Sequence, residues 1–471
     1  MSCGVFGCKA PIGRLTLPTV STRVHFVSLG CPKNRVDTEV MLGMVGQAGL
    51  EIVTEPGDAE VIVVNTCGFI GEAKQESIDA ILDMGKFKES GSCKRLVVAG
   101  CLSQRYPKQL SDEMPEVDAF IGTDEVGRIV ETIGGGGTEE RVHVAETPRY
   151  LYDDHTPRTP SMATHTAYLK VAEGCDRPCA FCIIPKLRGP QRSRDPDSVV
   201  REAESMAARG TTEICLVAQD LTTYGRDLPE GKSEAGPNLA RLLERLARVE
   251  GLRWIRLHYA YPTAVTDELL HVMAREPRIA KYLDVPVQHI DDEVLKKMRR
   301  GYTGKTVRDM VERARRIVPN LTLRTTFIVG HPGEDEAAFE RLCDFVREAQ
   351  IDRVGVFNYS REEGTTAALL PHRVLKKETD RRRKALLRIQ REISKNKMHA
   401  MRGQEITILV EGSSDESEYV LMGRHEGQAP EIDGQVYLEL GEYSPRAGEL
   451  VRARVTGSAD YDLSAQVIGP A

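Results

Sequence analysis

From Arg23 onward the chain alternates short apolar runs with longer, helix-spaced stretches. RVHFVSL, EIVT, VIVVN, RLVVAG and VDAFIG have strand length and are rich in valine and isoleucine, with helical spacing over 37–47 and 73–86 between them. Apolar runs without polar alternation belong to strands buried on both faces. The pattern therefore predicts a doubly wound parallel-sheet domain over 23–137, ending at the GGGG of 134–137. Residues 1–22 lack any such pattern and read as a disordered extension, and the Pro/Thr-rich 138–164 reads as a linker.

After the linker the alternation resumes six times: AYLKVAE, EICLVAQD, WIRLHYAYP, YLDVPVQH, LTLRTTFIVG and DRVGVFNYS, with helices over 198–208, 239–248, 291–299, 306–317 and from 336. Repeated βα units build a parallel barrel, and six of them leave it incomplete. This partial (β/α)6 barrel spans 165–397 and ends in a basic helix, 373–397, with Leu386, Ile389 and Ile393 on one face. That helix reads first as a solvated connector. The segments EITILVEG, YVLMGRH, GQVYLEL, ELVRARVTGSA and LSAQVIG, spaced by glycines, predict a small antiparallel β-barrel over 398–471.

Composition changes this picture little. A length of 471 residues suits several cores rather than one. The 41% hydrophobic and 28% charged content, with no apolar run near the roughly 18 residues of a membrane span, predicts a soluble cytoplasmic protein with no membrane partner. The start lacks the long apolar segment of a secretory signal. Eleven cysteines in such a chain argue for metal ligation or catalysis rather than a disulfide framework. Cys3 and Cys8 fall in the extension and take no role; Cys93, Cys215 and Cys343 read as structural.

Two sets of three cysteines remain. Cys31, Cys67 and Cys101 each stand just past a strand of the first domain, in SLGCPKN, VVNTCGF and VVAGCLS, and each has a glycine neighbour. Ligand sites of open parallel sheets gather beyond the carboxyl ends of strands, so the three are expected to meet, although an inert buried cysteine is the ordinary alternative for any one of them. Cys175, Cys179 and Cys182 follow the first barrel strand in EGCDRPCAFCIIPKLRG. Polar residues also end the other barrel strands: Gln219 and Asp220, His258 and Tyr259, Gln288 and His289, Gly330 and Gly333, Asn358 and Tyr359. In barrels this is the face where chemistry sits. A zinc ribbon would need a second CxxC pair, and the sequence has none.

The CxxxCxxC spacing, with Phe181 before the last cysteine and a βα barrel around it, resembles the cluster loop of the radical S-adenosylmethionine enzymes. The resemblance implies that Cys175, Cys179 and Cys182 hold a 4Fe-4S cluster whose open iron is chelated by S-adenosylmethionine, which reduction cleaves to methionine and a deoxyadenosyl radical. It further implies that Gln219 and Asp220, in AQD, lie against the methionine amine. Ile328, Gly330 and Gly333, in IVGHPGE, would line the adenine, although His331 stands where relatives generally have phenylalanine.

The order of the three domains is similar to that of the methylthiotransferases, whose last module is the TRAM barrel. That likeness, covering residues 23–468, assigns Cys31, Cys67 and Cys101 to a second, auxiliary 4Fe-4S cluster that carries the sulfur. One S-adenosylmethionine would methylate that sulfur and a second would supply the radical, with a flavodoxin or ferredoxin as electron donor.

Methylthiotransferases act either on an adenosine of transfer RNA or on the β-carbon of an aspartate in small-subunit ribosomal protein twelve. Residues 398–471 hold five arginines, no lysine and thirteen Asp or Glu, a net charge of −8, against 59 basic and 57 acidic residues elsewhere. A module gripping RNA should present cations to phosphates; an acidic one attracts a basic protein. SLGCPKN, YLDVPVQHIDDEVLKKMRRG and DRVGVFNYSREEGT also resemble the ribosomal-protein branch, so that protein, free or on the ribosome, is the expected partner and transfer RNA is not. A transfer-RNA methylthiotransferase and a non-catalytic iron-sulfur electron carrier are the alternatives.

Overall fold

The computed structural model describes residues 21–135, 140–233, 235–414 and 417–471. Cys3 and Cys8, with most of the expected extension, lie outside the described residues.

Strands β1 (Arg23–Ser28), β2 (Glu51–Ile52), β3 (Val61–Thr66), β4 (Arg95–Gly100), β5 (Ala119–Ile121) and β6 (Val142–His143) form a six-stranded sheet in the order β2-β1-β3-β4-β5-β6, parallel throughout. All six residues of β3 are buried, as a strand covered on both faces requires. β6 comes from the stretch read as linker; two residues are too few to leave a periodic signal.

The first helix runs Pro32–Gln47, starting five residues before the 37–47 expected. Pro32 is pre-set for the first turn, and Cys31 stands as the cap. The early turn escaped notice because Lys33, Asn34, Asp37 and Glu39 look like a solvent face yet are all buried. They point into the second domain.

That domain carries β7 (Thr166–Lys170), a short pair β8 (Ala172–Glu173) and β9 (Arg192–Ser193), then β10 (Glu213–Val217), β11 (Trp254–Leu257), β12 (Ile279–Asp284), β13 (Thr322–Val329) and β14 (Arg353–Asn358). The six long strands form an open parallel sheet, β14-β13-β12-β11-β10-β7, with helices packed outside. The first helix covers the gap beside β7: Val36, Val40 and Met41 share one core with Tyr168, Cys215 and Val217. The open flank of the partial barrel is thus closed by another domain.

The helix Lys376–Ala400 leads to β15 (Glu405–Ser414), β16 (Ser417–His425), β17 (Val436–Glu439), β18 (Leu450–Ser458) and β19 (Leu463–Pro470). These close into a barrel in the order β15-β16-β17-β19-β18. This is the small antiparallel barrel expected, with one exception in its ring, the parallel pairing of β17 and β19. An odd number of strands in a ring cannot alternate direction all the way round, so one parallel pair is unavoidable.

The segment between β16 and β17 enters the bottom of the partial barrel. Arg256 donates to the Glu426 carbonyl at 2.7 Å, and the Tyr282 hydroxyl donates to Asp433 at 2.7 Å. Beside them Glu213 is fully buried between Arg256 at 2.8 Å and Arg424 at 2.6 Å. Burial alone would raise this carboxyl, but the two guanidinium groups hold it down at about 2. The stability it contributes is complete above the ordinary carboxylate range and lost as pH falls toward 2. Acid titration followed by circular dichroism should therefore show Glu213→Gln losing less stability than wild type between pH ~4.5 and ~2.

Among the described residues no helix is long and apolar enough to cross a membrane.

Candidate functional site

The strand-end loops that carry Cys31, Cys67 and Cys101 pack against one another. A β-carbon added at Gly30 would fall 2.8 Å from the Cys67 β-carbon, and one at Gly68 would fall 2.6 Å from the Cys101 carbonyl oxygen. Only glycine lets the three loops approach this closely. Ser77 clamps the Cys67 backbone, accepting from its N–H at 2.9 Å and donating to its carbonyl at 3.0 Å. Asn65 donates to the Asn34 carbonyl at 2.9 Å, tying the first loop to the second.

Burial and the neighbouring cysteines push the Cys67 thiol up to about 12, and burial also raises Cys101. Cys31 goes the other way. Burial opposes ionisation there too, but Lys33, Arg188 and the first backbone N–H groups of its helix together hold it below the ordinary thiol value.

The second triad sits on the loop after β8. Burial and the other two sulfurs raise Cys182 to about 12, while burial, opposed by the Arg177 backbone N–H, takes Cys175 to about 11. The Arg300 guanidinium donates to Cys179 Sγ at 3.1 Å and lies 4.4 Å from the Tyr261 ring, whose other approach is taken by Arg177 at 3.8 Å. Phe181 packs with Ile328 against Val294, Met298 and Ala338, so the end of β13 reaches the cysteine loop.

This loop also serves the first triad. Ile183 and Leu187 pack on Cys101 and Phe69, and Arg188 donates to Cys101 Sγ at 3.3 Å. Arg188 is 3% exposed and donates further to Asn34 at 3.0 Å, to Glu173 at 3.3 Å and to Asp37. Lys170 pairs with the same Asp37 and, at 2.6 Å, with Glu173. Two cations and two carboxylates thus balance in a buried knot that joins the domains, and a second tie, Glu362 with Lys74 at 2.8 Å and Arg105 at 2.7 Å, closes the opposite side.

These residues fit iron-sulfur clusters. Each triad offers three soft sulfur donors and a guanidinium beside one of them, and a four-iron cluster held by those three alone would keep one iron free for another ligand. Among the described residues no three His, Cys, Asp or Glu side chains converge on a single ion.

The barrel face carries buried polar atoms without hydrogen-bond partners, Gln219 Oε1, Asn358 Oδ1 and Tyr359 Oη past the strands and Arg177 Nη2 on the cysteine loop, while His258 Nδ1 and His289 Nε2 have only long contacts, to Asp284 at 3.8 Å and Glu334 at 3.6 Å. Orphaned groups of this kind, gathered on one face, suit a polar ligand such as S-adenosylmethionine. Gln219 lies beside the loop, its amide donating to Glu173. Asp220 is more committed than its motif suggested. One oxygen accepts from the Thr222 N–H at 3.0 Å and the other from Arg177 at 2.7 Å, so it anchors the cysteine loop.

Gly330 (φ 78) faces Thr379, which a β-carbon would approach to 2.3 Å, and Gly333 likewise faces Lys297. Both glycines are thereby explained by packing. His331 is fully buried with its ring 5.1 Å from Tyr359, filling an aromatic's place. Sequence reasoning missed the buried Lys33, Arg188 and Arg300 and the half-buried Arg177, whose residue types give no hint of such placement.

Comparison with known proteins accounts for nearly the whole chain. Residues 23–122 match the model of the uncharacterized protein family UPF0004, 169–346 the radical SAM superfamily and 403–468 the TRAM domain. A protein of Sorangium cellulosum named ribosomal protein uS12 methylthiotransferase RimO is 54% identical over 450 residues, 95% of this chain and 91% of that one. Proteins of the same name from Myxococcus xanthus and Geobacter sulfurreducens are 50% and 48% identical, over 96% and 95% of this chain and 92% and 98% of theirs. Among solved structures, the radical S-adenosylmethionine methyltransferase TsrM from Kitasatospora setae superposes with a TM-score of 0.53 at 16% identity, covering 74% of this chain and 77% of that one. At that identity the likeness speaks for the fold alone.

Proposed function

The chain belongs to the RimO family of ribosomal protein uS12 methylthiotransferases, and from that premise we propose that it replaces a hydrogen on the β-carbon of a uS12 aspartate with a methylthio group. It is a radical S-adenosylmethionine enzyme, and its cofactors are S-adenosylmethionine and 4Fe-4S clusters. The observation that carries the site assignment is the single loop 173–189, which holds three cysteines and also sends Arg188 to Cys101 of the other triad. Two cysteine sets tied by one loop suit a reaction that must bring a sulfur and a radical to the same carbon.

In this reading Cys175, Cys179 and Cys182 hold the cluster that binds S-adenosylmethionine, and Cys31, Cys67 and Cys101 hold the auxiliary cluster. When bound, cluster and S-adenosylmethionine supply one-electron chemistry able to break the C–H bond by removing a hydrogen atom rather than a proton. The protein's own groups do the rest. Arg300 and Arg188 steady one thiolate in each triad by hydrogen bonding. Arg177 and Asp220 fix the loop, leaving Gln219, His289, Asn358 and Tyr359 to orient the cofactor at the strand ends. The first domain, seated by the Arg188 and Glu362 ties, keeps water from the chamber. The acidic last domain draws in a basic protein. A small acidic electron-transfer protein of the flavodoxin or ferredoxin class would deliver the electrons.

The test is anaerobic reconstitution with iron and sulfide, followed by incubation with S-adenosylmethionine, a reductant and either recombinant uS12 or transfer RNA. Mass spectrometry should find one methylthio group on the uS12 peptide holding the target aspartate, deoxyadenosine in the supernatant and unmodified RNA. Modified RNA would favour the transfer-RNA branch, and absence of deoxyadenosine would reduce the protein to an electron carrier.

A further inference from the structure

Lys33 is a cation that the cluster sites leave without a carboxylate. It lies two residues after Cys31, in the first turn of the helix Pro32–Gln47, and is 8% exposed. Its ammonium stands 3.5 Å from the centre of the Tyr259 ring, at the end of β11, so it bridges the first domain to the chemical face of the barrel. Among the described residues no carboxylate is within ion-pair distance of it. Glu173, whose charge acts on Lys33, is otherwise engaged, shared like Asp37 by Lys170 and Arg188.

Tyr259 is held in place for this contact. Its backbone is left-handed (φ 65), its N–H donates to Asp284 at 3.3 Å and its carbonyl accepts from Leu221 at 3.0 Å. A bulky residue in that conformation is strained and persists only where its surroundings enforce it, as they do at ligand sites. A buried ammonium whose close partners are Tyr259 and the Cys31 sulfur, with no carboxylate at ion-pair distance, has hydrogen-bonding capacity to spare, and a buried charge without a full counter-charge is costly. An incoming carboxylate would relieve that cost.

We propose that Lys33 takes the side-chain carboxylate of the substrate aspartate, setting its β-carbon between the two cysteine triads and selecting an acid over its amide. This rests on the uS12 reading above. An asparagine of equal size would place a neutral amide against the ammonium, and the preference should show as a ratio of efficiencies.

The experiment uses full-length reconstituted wild type, Lys33→Met and Lys33→Arg with intact uS12 and with uS12 carrying asparagine at the target position. Two quantities are read: kcat/KM for each substrate, and equilibrium binding of each by fluorescence anisotropy without reductant. Wild type should prefer aspartate by at least about tenfold in both. Lys33→Met should bring the two substrates to within about threefold, chiefly by losing the aspartate form, while Lys33→Arg keeps most of the preference. If Lys33→Met retains the wild-type ratio, the proposal fails while the uS12 reading stands. It fails equally if Lys33→Met loses iron and handles both substrates worse in the same proportion, because Lys33 would then serve only the Cys31 site. If wild type modifies neither protein, the uS12 reading itself falls and takes the proposal with it.

Discussion

Cys67→Ala and Cys179→Ala should each lose half the iron and fail in different ways. With two four-iron clusters the reconstituted wild type should hold about eight irons per chain and each variant about four. Cys67→Ala leaves Cys175, Cys179 and Cys182 untouched, so it should still release deoxyadenosine from S-adenosylmethionine while transferring no methylthio group. Cys179→Ala removes the sulfur that receives the Arg300 hydrogen bond and should abolish deoxyadenosine release altogether, a loss of many orders of magnitude. The opposite signatures test the division of labour between the triads. A Cys67 variant keeping all its iron would show that the first triad holds no cluster.

Arg188→Met should be strongly destabilising. Removing the guanidinium leaves Asp37 and Glu173 buried with Lys170 as their one remaining cation, and Asn34 without its donor. Breaking a buried ionic group by deleting one partner costs about 3–5 kcal/mol. The apo protein should unfold at clearly lower denaturant concentration, with loss of the contact between the first two domains, as read by proteolysis of the 140–165 stretch. A second effect is separable from the first. Cys101 Sγ loses its charged donor at 3.3 Å, so the auxiliary cluster should become harder to reduce. Arg188→Lys restores charge without the planar fork and should recover stability better than potential. Urea titration of the apo form and redox titration of the loaded form check the two effects independently.

The fold was legible because buried parallel strands cannot disguise themselves. VIVVN is apolar up to its closing Asn65 and RLVVAG after its opening Arg95, and each of the six barrel runs meets a strand, although β12 (Ile279–Asp284) starts three residues before the run YLDVPVQH and ends within it. The cysteines were legible for a related reason, since parallel strands of one sheet deliver their ends to one edge and the following residues have to meet. What escaped depends on which domain packs where. Lys33, Asp37 and Glu39 carry the polar signature of a solvent face, and nothing within their helix reveals that this face docks into another domain. Arg188 and Arg300 were hidden likewise, because a long basic side chain is ordinarily outside and becomes a sulfur's donor only once the tertiary contact exists. Asp220 shows the converse error: its position was foreseen, but its carboxylate is taken up by Arg177 and its own turn.

The segment between β16 and β17, seated in the bottom of the barrel through Arg256, Tyr282 and Arg424, prevents the last domain from swinging on its connector. Its acidic surface therefore stands at a set span from the cysteine loops, as the jaws of a caliper do. In the proposed function a client protein would match that gauge with its basic body on one jaw and its aspartate at the other. Short peptides, touching only the reacting jaw, should show a raised KM at nearly unchanged kcat.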